Sequence, residues 1–312
     1  MGVDIAVVAS FVIESAVVLS RIPVLGESIK ADKYYMAPGG KGTNQAVTAA
    51  RQGKTVGIVA KVGKDLFGQM AINLYESEGI SSKNVFITDL AQTAIGLVFV
   101  QHTGDNCTGI YMGANELLTA KEVRDSVKSF MPAKVVTAQL ESPDDAILSA
   151  FQIGKEYGAT TLLNPAPVRS FDEKILALTD VITPNECEAK MLTGHDPNDE
   201  SINIETIAKK IIEMGVKSLV ITLGEKGSMV MNHDSSPIKV RPYKVNAVDT
   251  LGAGDCFSGS LATGLSEGKS LINSARWASV AAALSTLGNG GTSPLPARKH
   301  IEDHFKLYEK ER

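Results

Sequence analysis

A doubly wound α/β fold is what this sequence predicts: a mainly parallel sheet flanked by helices, with a small antiparallel sheet apart from it. Three observations point there. Short β-branched runs of strand length alternate with longer helical patterns. Polar and glycine-bearing segments fall just past the ends of those runs, where α/β sheets carry their ligands. Two stretches, 27–36 and 94–113, break the alternation and hold extended patterns with no helix between them.

The elements follow in order. Residues 5–8 are an apolar run that reads as a buried parallel strand, and 27–36 as a strand of the small sheet. A helical pattern over 40–51 precedes a strand at 55–61 and a helix at 66–78. Residues 94–101 and 106–113 complete that sheet, joined by the turn His102-Thr103-Gly104-Asp105. Then come a strand at 134–139, a helix at 143–157, strands at 160–164 and 181–183, a helix at 203–214, a strand at 218–222 and a helix at 254–267. Strand–helix alternation implies right-handed crossovers and a single domain over 1–312. Placed as a lid, the small sheet would exclude water from a site beneath it; a surface hairpin without function would leave the same pattern.

Composition narrows the function classes. A length of 312 residues supports a sizeable core, and 44% apolar with 21% charged residues is ordinary for a soluble globular chain. The net charge of −4 and the lack of a basic stripe argue against nucleic-acid binding. The apolar runs are too short to span a bilayer, and the N-terminus carries no secretion pattern. Cys107, Cys187 and Cys256 are scattered and odd in number, which suggests a reducing, cytoplasmic setting.

The chemistry concentrates in two glycine turns. Asp249-Thr250-Leu251-Gly252-Ala253-Gly254-Asp255 places small residues before an acid at the start of an apolar helix. Helix-start N–H groups are unpaired and the dipole favours an anion there, so Gly252, Ala253 and Gly254 read as donors to a phosphate. Asp255, beside that anion, can accept a proton from an attacking hydroxyl, which suggests phosphoryl transfer to an alcohol. A tight helix-entry turn with an acid as dipole partner would look the same. The second turn, Gly39-Gly40-Lys41-Gly42-Thr43-Asn44-Gln45-Ala46, offers Lys41 and Asn44 as donors suited to hydroxyl groups. It lacks the Gly-x-x-x-x-Gly-Lys-Ser/Thr spacing of a P-loop, and no Gly-x-Gly-x-x-Gly follows the first strand.

Together these segments resemble the two signatures of the ribokinase-like carbohydrate kinases, the phosphofructokinase-B family. Further landmarks of that family follow in order: Gln139-Leu140-Glu141, Asn164-Pro165-Ala166-Pro167, Pro184-Asn185-Glu186-Cys187-Glu188, Thr222-Leu223-Gly224-Glu225-Lys226-Gly227 and Gly290-Gly291-Thr292. The first turn has the form more typical of enzymes acting on free sugars than on nucleosides. The resemblance implies ATP and Mg²⁺, with transfer of the γ-phosphate to the primary 5-hydroxyl of a pentose, D-ribose first. Deoxyribose, a ketose, a nucleoside or a non-catalytic sugar sensor are the alternatives. It assigns Asp255 as base, and Gly40, Lys41, Gly42, Asn44 and Glu141 to the sugar. Asn185, Glu188, Thr222, Gly224, Gly227, Gly254 and Ser279 fall to the nucleotide. Asp249, with Leu251, Ser285, Gly288, Gly290 and Ser293, falls to a monovalent cation, K⁺; Pro294 stands where the family has serine. A homodimer through the lid strands is also implied. The sugar pocket departs from the family: Val12 and Glu14 stand where Asn and Asp are usual. Val12 forms no hydrogen bond, and Glu14 keeps the carboxylate one methylene farther out, so specificity should change.

Overall fold

The computed structural model describes residues 2–103, 106–233 and 235–310. Strand β1 (Ile5–Val8) is the middle of the fold. The chain leaves it through β2 (Val12–Leu19) and β3 (Lys33–Gly39), returns by helix α1 (Lys41–Arg51) to β4 (Val56–Gly63), and continues through α2 (Leu66–Ser77) to β5 (Val85–Thr88). A second excursion, β6 (Ala94–Gln101) and β7 (Asn106–Tyr111), precedes α3 (Ala120–Phe130), β8 (Val135–Gln139), α4 (Asp144–Glu156), β9 (Thr160–Asn164), α5 (Lys174–Ala177) and β10 (Val181–Ile182). The rest runs α6 (Glu186–Leu192), α7 (Ile204–Glu213), β11 (Ser218–Thr222), β12 (Ser228–Asn232), β13 (Ile238–Val240), α8 (Ala253–Ser266), α9 (Leu271–Ser285) and α10 (Arg298–Lys310).

Nine strands form the main sheet in the order β13-β12-β11-β10-β9-β8-β1-β4-β5, parallel except where β11, β12 and β13 pair antiparallel at one edge. Strand periodicity divides its side chains between two cores. In β1, Ile5 and Val7 face α1, α2, α8, α9 and α10, while Ala6 and Val8 face α3, α4, α6 and α7. Chain order reverses at β1, with β4 on one side and β8 on the other. Loops leaving the carboxyl ends of strands at such a point open onto a crevice, the place where doubly wound sheets bind ligands.

The second sheet has the order β3-β2-β6-β7 and bears out a small sheet apart from the main one, with corrections to its make-up. Its central strand is β2, which pairs β3 antiparallel and β6 parallel and which no sequence signal marked. The stretch 27–36 is strand only from Lys33, and that strand runs on to Gly39. Before it, Glu27 pairs with Arg21 and accepts from the Val24 N–H at 3.1 Å, so its carboxylate closes a loop instead. Strand β7 ends at Tyr111, and Gly113 begins a short 3₁₀ turn at φ 50°. His102 and Thr103 lie in a turn as expected; Gly104 and Asp105 fall outside the described residues.

Candidate active site

The first glycine turn lies against the exit of β1. A Cβ on Gly42 would sit 2.4 Å from Ala9 Cα, so only glycine lets α1 come this close. Proximity is then used for bonding: Ser10 O accepts from Thr43 Oγ1 at 2.6 Å. Ser10 Oγ donates to Glu141, whose Oε2 also accepts the Lys41 backbone N–H at 2.9 Å. Glu141 is thereby fixed in the wall just past β8. Gln45 fastens the same helix across the sheet ends. Its Oε1 accepts from Thr137 Oγ1 (3.0 Å) and Gln139 Nε2 (2.8 Å), and its Nε2 donates to Asn164 Oδ1 (3.2 Å). Asn164 continues to Thr183 O at 3.1 Å, and the Thr183 and Ser258 hydroxyls meet at 3.0 Å. Every link is buried, which makes the network both rigid and costly to break. Sequence reasoning missed Gln45 and Ser10 as its hubs. The available signal was a polar pair, Thr137 and Gln139, inside an otherwise apolar strand.

The second turn faces the first. Gly252 caps α8 in the left-handed region at φ 76°, without a side-chain cap. One correction applies to the expected anion hole. The Ala253 N–H donates to Thr250 O at 3.2 Å, because the turn closes on itself, so of the three expected donors Ala253 is engaged within the protein. Asp255, in the first turn of α8, is 6% exposed. Its Oδ2 accepts from Asn44 Nδ2 at 2.9 Å, joining residues 211 apart in sequence. The two glycine turns therefore meet, with the Asp255 carboxylate held against Asn44.

Burial pushes the Asp255 carboxyl up to about 6, against the pull of Lys41 and the Asn44 hydrogen bond. The Lys41 ammonium is held above the usual lysine range by Asp255 first, then by Glu141, Glu188 and Glu14. Burial likewise raises Glu188. One cation thus serves carboxylates from four segments. Lys41→Met removes the largest charge that favours ionised Asp255. A base must be ionised to act, so kcat is lost as pH falls through its pKa. We expect the acid limb of the kcat–pH profile of this variant to move up by about 1 unit; an unmoved limb would show that Lys41 does not set the Asp255 charge.

The lid supplies the roof. Val12 and Glu14, two apart on β2, point to the same face. Their cross-strand neighbours there are Gly39 and Ala94 for Val12, Ala37 and Gly96 for Glu14. Around Val12 and Glu14 this face is otherwise made of small residues. Val12 is 5% exposed. Burial, then Asp255 and Glu141, push the Glu14 carboxyl up to about 7.

Beyond the second turn, Asn185 and Glu188 form a reciprocal capping box at the start of α6, each bond 2.8 Å. Asn185 also pairs with Thr222 as a parallel bridge. Gly224 and Gly227 take φ 56° and 90° in the turn to β12, where a Cβ on Gly227 would be 2.2 Å from Val240 O. Ser279 is buried on α9 and donates to Ala275 O at 2.9 Å within its own helix. Asp249 accepts from the Leu251 N–H (2.9 Å) and the Gly290 N–H (3.1 Å), which brings the turn before α8 to the loop after α9. Ser285 and Gly288 lie at the other end of that loop; Ser293 is exposed, and its carbonyl accepts from Arg51 at 3.2 Å.

Fold and site together define an α/β phosphotransferase with an alcohol group as acceptor. Residues 4–298 match the pfkB family carbohydrate kinases. The chain belongs to that family. It is 36% identical over 299 residues to the bifunctional ribokinase/ribose-5-phosphate isomerase A of Fructilactobacillus sanfranciscensis, covering 95% of this chain and 55% of that longer protein. It is 32% identical over 307 residues to the deoxyribokinase of Salmonella typhi, covering 98% and 100% of the two chains. The structure of Arabidopsis thaliana ribokinase complexed with ribose and ATP superposes with a TM-score of 0.88 at 28% identity, over 98% of this chain and 99% of that one.

Proposed function

We propose that this chain transfers the γ-phosphate of ATP to the primary 5-hydroxyl of a pentose, with D-ribose as the first candidate. The observation that carries the reading is the Asn44–Asp255 contact, which sets a buried carboxylate between a hydroxyl-binding turn and a phosphate-binding turn. Asn44 Oδ1 and Glu14 Oε2 are buried without a partner in the protein, as acceptors or donors awaiting sugar hydroxyls would be. In this reading Asp255 takes the hydroxyl proton, the N–H groups of Gly252 and Gly254 receive the charge growing on the phosphoryl oxygens, and Glu141, Asn44 and Lys41 orient the sugar. Gly40 and Gly42 let the α1 backbone approach it. The nucleotide lies along Asn185, Thr222, Gly224, Gly227 and Ser279.

Mg²⁺ would neutralise charge on the transferring phosphate. Glu188 suits its water shell, since Oε2 takes the Asn185 N–H and Oε1 is left for water. The K⁺ site fits its donor set. Among the described residues the carbonyls of Leu251, Ser285, Gly288 and Gly290 accept no backbone hydrogen bond, and Asp249 lies beside them. A cation there would add positive field next to the α8 start. Ser293 joins it only through its hydroxyl. The outer face of the lid exposes Tyr34, Met36, Leu97 and Tyr111, each at 41–60%, an apolar surface that a second copy would cover in a homodimer. The free cysteines suit a cytoplasmic setting.

Val12 favours a second reading, 2-deoxy-D-ribose, because an apolar side chain suits a position without a hydroxyl. ADP release with a panel of pentoses, ketoses and nucleosides separates the readings. If Val12 lies against the sugar, Val12→Asn should shift the ribose-to-deoxyribose ratio of kcat/KM toward ribose by about 10-fold or more. An unchanged ratio would place Val12 away from the sugar, and no ADP release with any member of the panel would remove the proposed activity.

A further inference from the structure

Resting on the sugar-kinase reading, we infer that Glu14 works as a neutral carboxylic acid, donating its own proton to a sugar hydroxyl, so that the sugar is bound together with one proton. The placement of the group carries this. Glu14 projects from β2 into the space beneath the lid, and its Oε2 is buried with no hydrogen-bond partner in the protein. Its Oε1 lies against the Gly39 backbone, 3.1 Å from where a Cβ there would stand. The neighbours on its face, Ala37 and Gly96, have no side-chain donor. A carboxylate needs donors when water is removed, and an acid brings one of its own.

The charges around it favour the same form. Asp255 faces Glu14 from α8, Glu141 from the loop past β8 and Asp249 from the loop before α8; Lys41, from α1, is the one cation among them, and the Tyr35 phenol on β3 also feels the Glu14 charge. Glu141 has Ser10 and the Lys41 N–H as donors. Asp255 has Asn44 and Asp249 has two backbone N–H groups. Glu14 has none, so it is the member of the group that keeps a proton. Burial and these neighbours push the Glu14 carboxyl up to about 7, above the value of about 6 for Asp255, so Glu14 holds its proton to higher pH than the base. The proton is not consumed: it rides with the sugar and stays on Glu14 through phosphoryl transfer.

Calorimetric titration of the full chain with D-ribose and with 2-deoxy-D-ribose, from pH 6.5 to 8.5 in two buffers of different ionisation enthalpy, tests this. Above pH 7 the Kd should weaken by about 10-fold per pH unit, with uptake of about one proton per sugar at pH 8. Glu14→Gln, a neutral isostere, should bind with a Kd that no longer depends on pH over this range. A wild-type Kd that is flat or tightens with pH, absence of proton uptake, or a Gln variant that keeps the slope would each overturn the inference while leaving the kinase reading in place. Failure of both pentoses to bind at any pH would overturn both together. The wild-type proton count decides the matter even if the variant does not fold.

Discussion

Replacing Asp255 with asparagine should lower kcat by about 10²–10⁴-fold, the usual worth of a positioned general base, and raise the stability of the fold. The two effects share a cause. The carboxyl is pushed from its ordinary 3.8 up to about 6, so folding disfavours its charged form. The sign follows directly. A carboxyl whose folded pKa lies above its unfolded one destabilises the protein when ionised; that penalty is full above pH 6 and vanishes below about 4. Two pKa units correspond to about 3 kcal/mol, an upper bound for what Asp255→Asn returns at pH 8. The substituted amide would still accept the Asn44 hydrogen bond through its own Oδ1, so the Asn44 donor keeps its partner. Thermal unfolding at pH 8 should show a higher Tm for the variant, and the gap should close as pH falls toward 4. A variant with wild-type ADP release would remove Asp255 from the chemistry. A variant that loses both activity and Tm would make it a packing residue.

Gly254→Ala should separate the needs of the fold from those of the phosphate. A Cβ at this position meets nothing within 4 Å, at the start of α8. The protein's own packing gives no reason for glycine there, and alanine is the better helix former. A methyl group would instead stand where the transferred phosphoryl must approach. We expect an unchanged or slightly raised Tm and a fall of about 10- to 100-fold in kcat/KM for ATP, since small misplacements of reacting groups carry penalties of that size. The Kd for sugar alone should stay within about twofold, because the sugar-binding residues lie on other segments. Normal ATP kinetics would place the phosphate elsewhere.

How much of this was legible in the sequence depends on the range of the interaction. The parallel strands were visible because burial on both faces demands continuous β-branched runs, and β1, β9 and β11 stand where those runs stand. The glycine turns were visible because phosphate and backbone impose their requirements within a few residues. Strand β2 was not visible. It starts four residues after β1 ends and places Glu14 and Ser15 side by side, so neither a period of two nor an apolar run appears. Its strand character comes from the partners on either side, Lys33–Gly39 and Ala94–Gln101, which are distant in sequence. The same holds for Gln45, whose polar side chain reads as a helix-surface residue until Thr137, Gln139 and Asn164 are seen around it. The Ala253 N–H was assigned to the anion because helix starts leave such groups free; a turn closing on Thr250 is a matter of local dihedrals that residue types alone do not fix.

The hydrogen bond between Asn44 and Asp255 bears on how the protein is made. Synthesis proceeds from the N-terminus, so every strand of both sheets is made before α8. The turn that carries Asn44 and the strands of both sheets are therefore made before the residue proposed to accept the proton. If Asp255 is the base, catalytic competence arrives late, when the last fifth of the polypeptide packs against the rest of the chain.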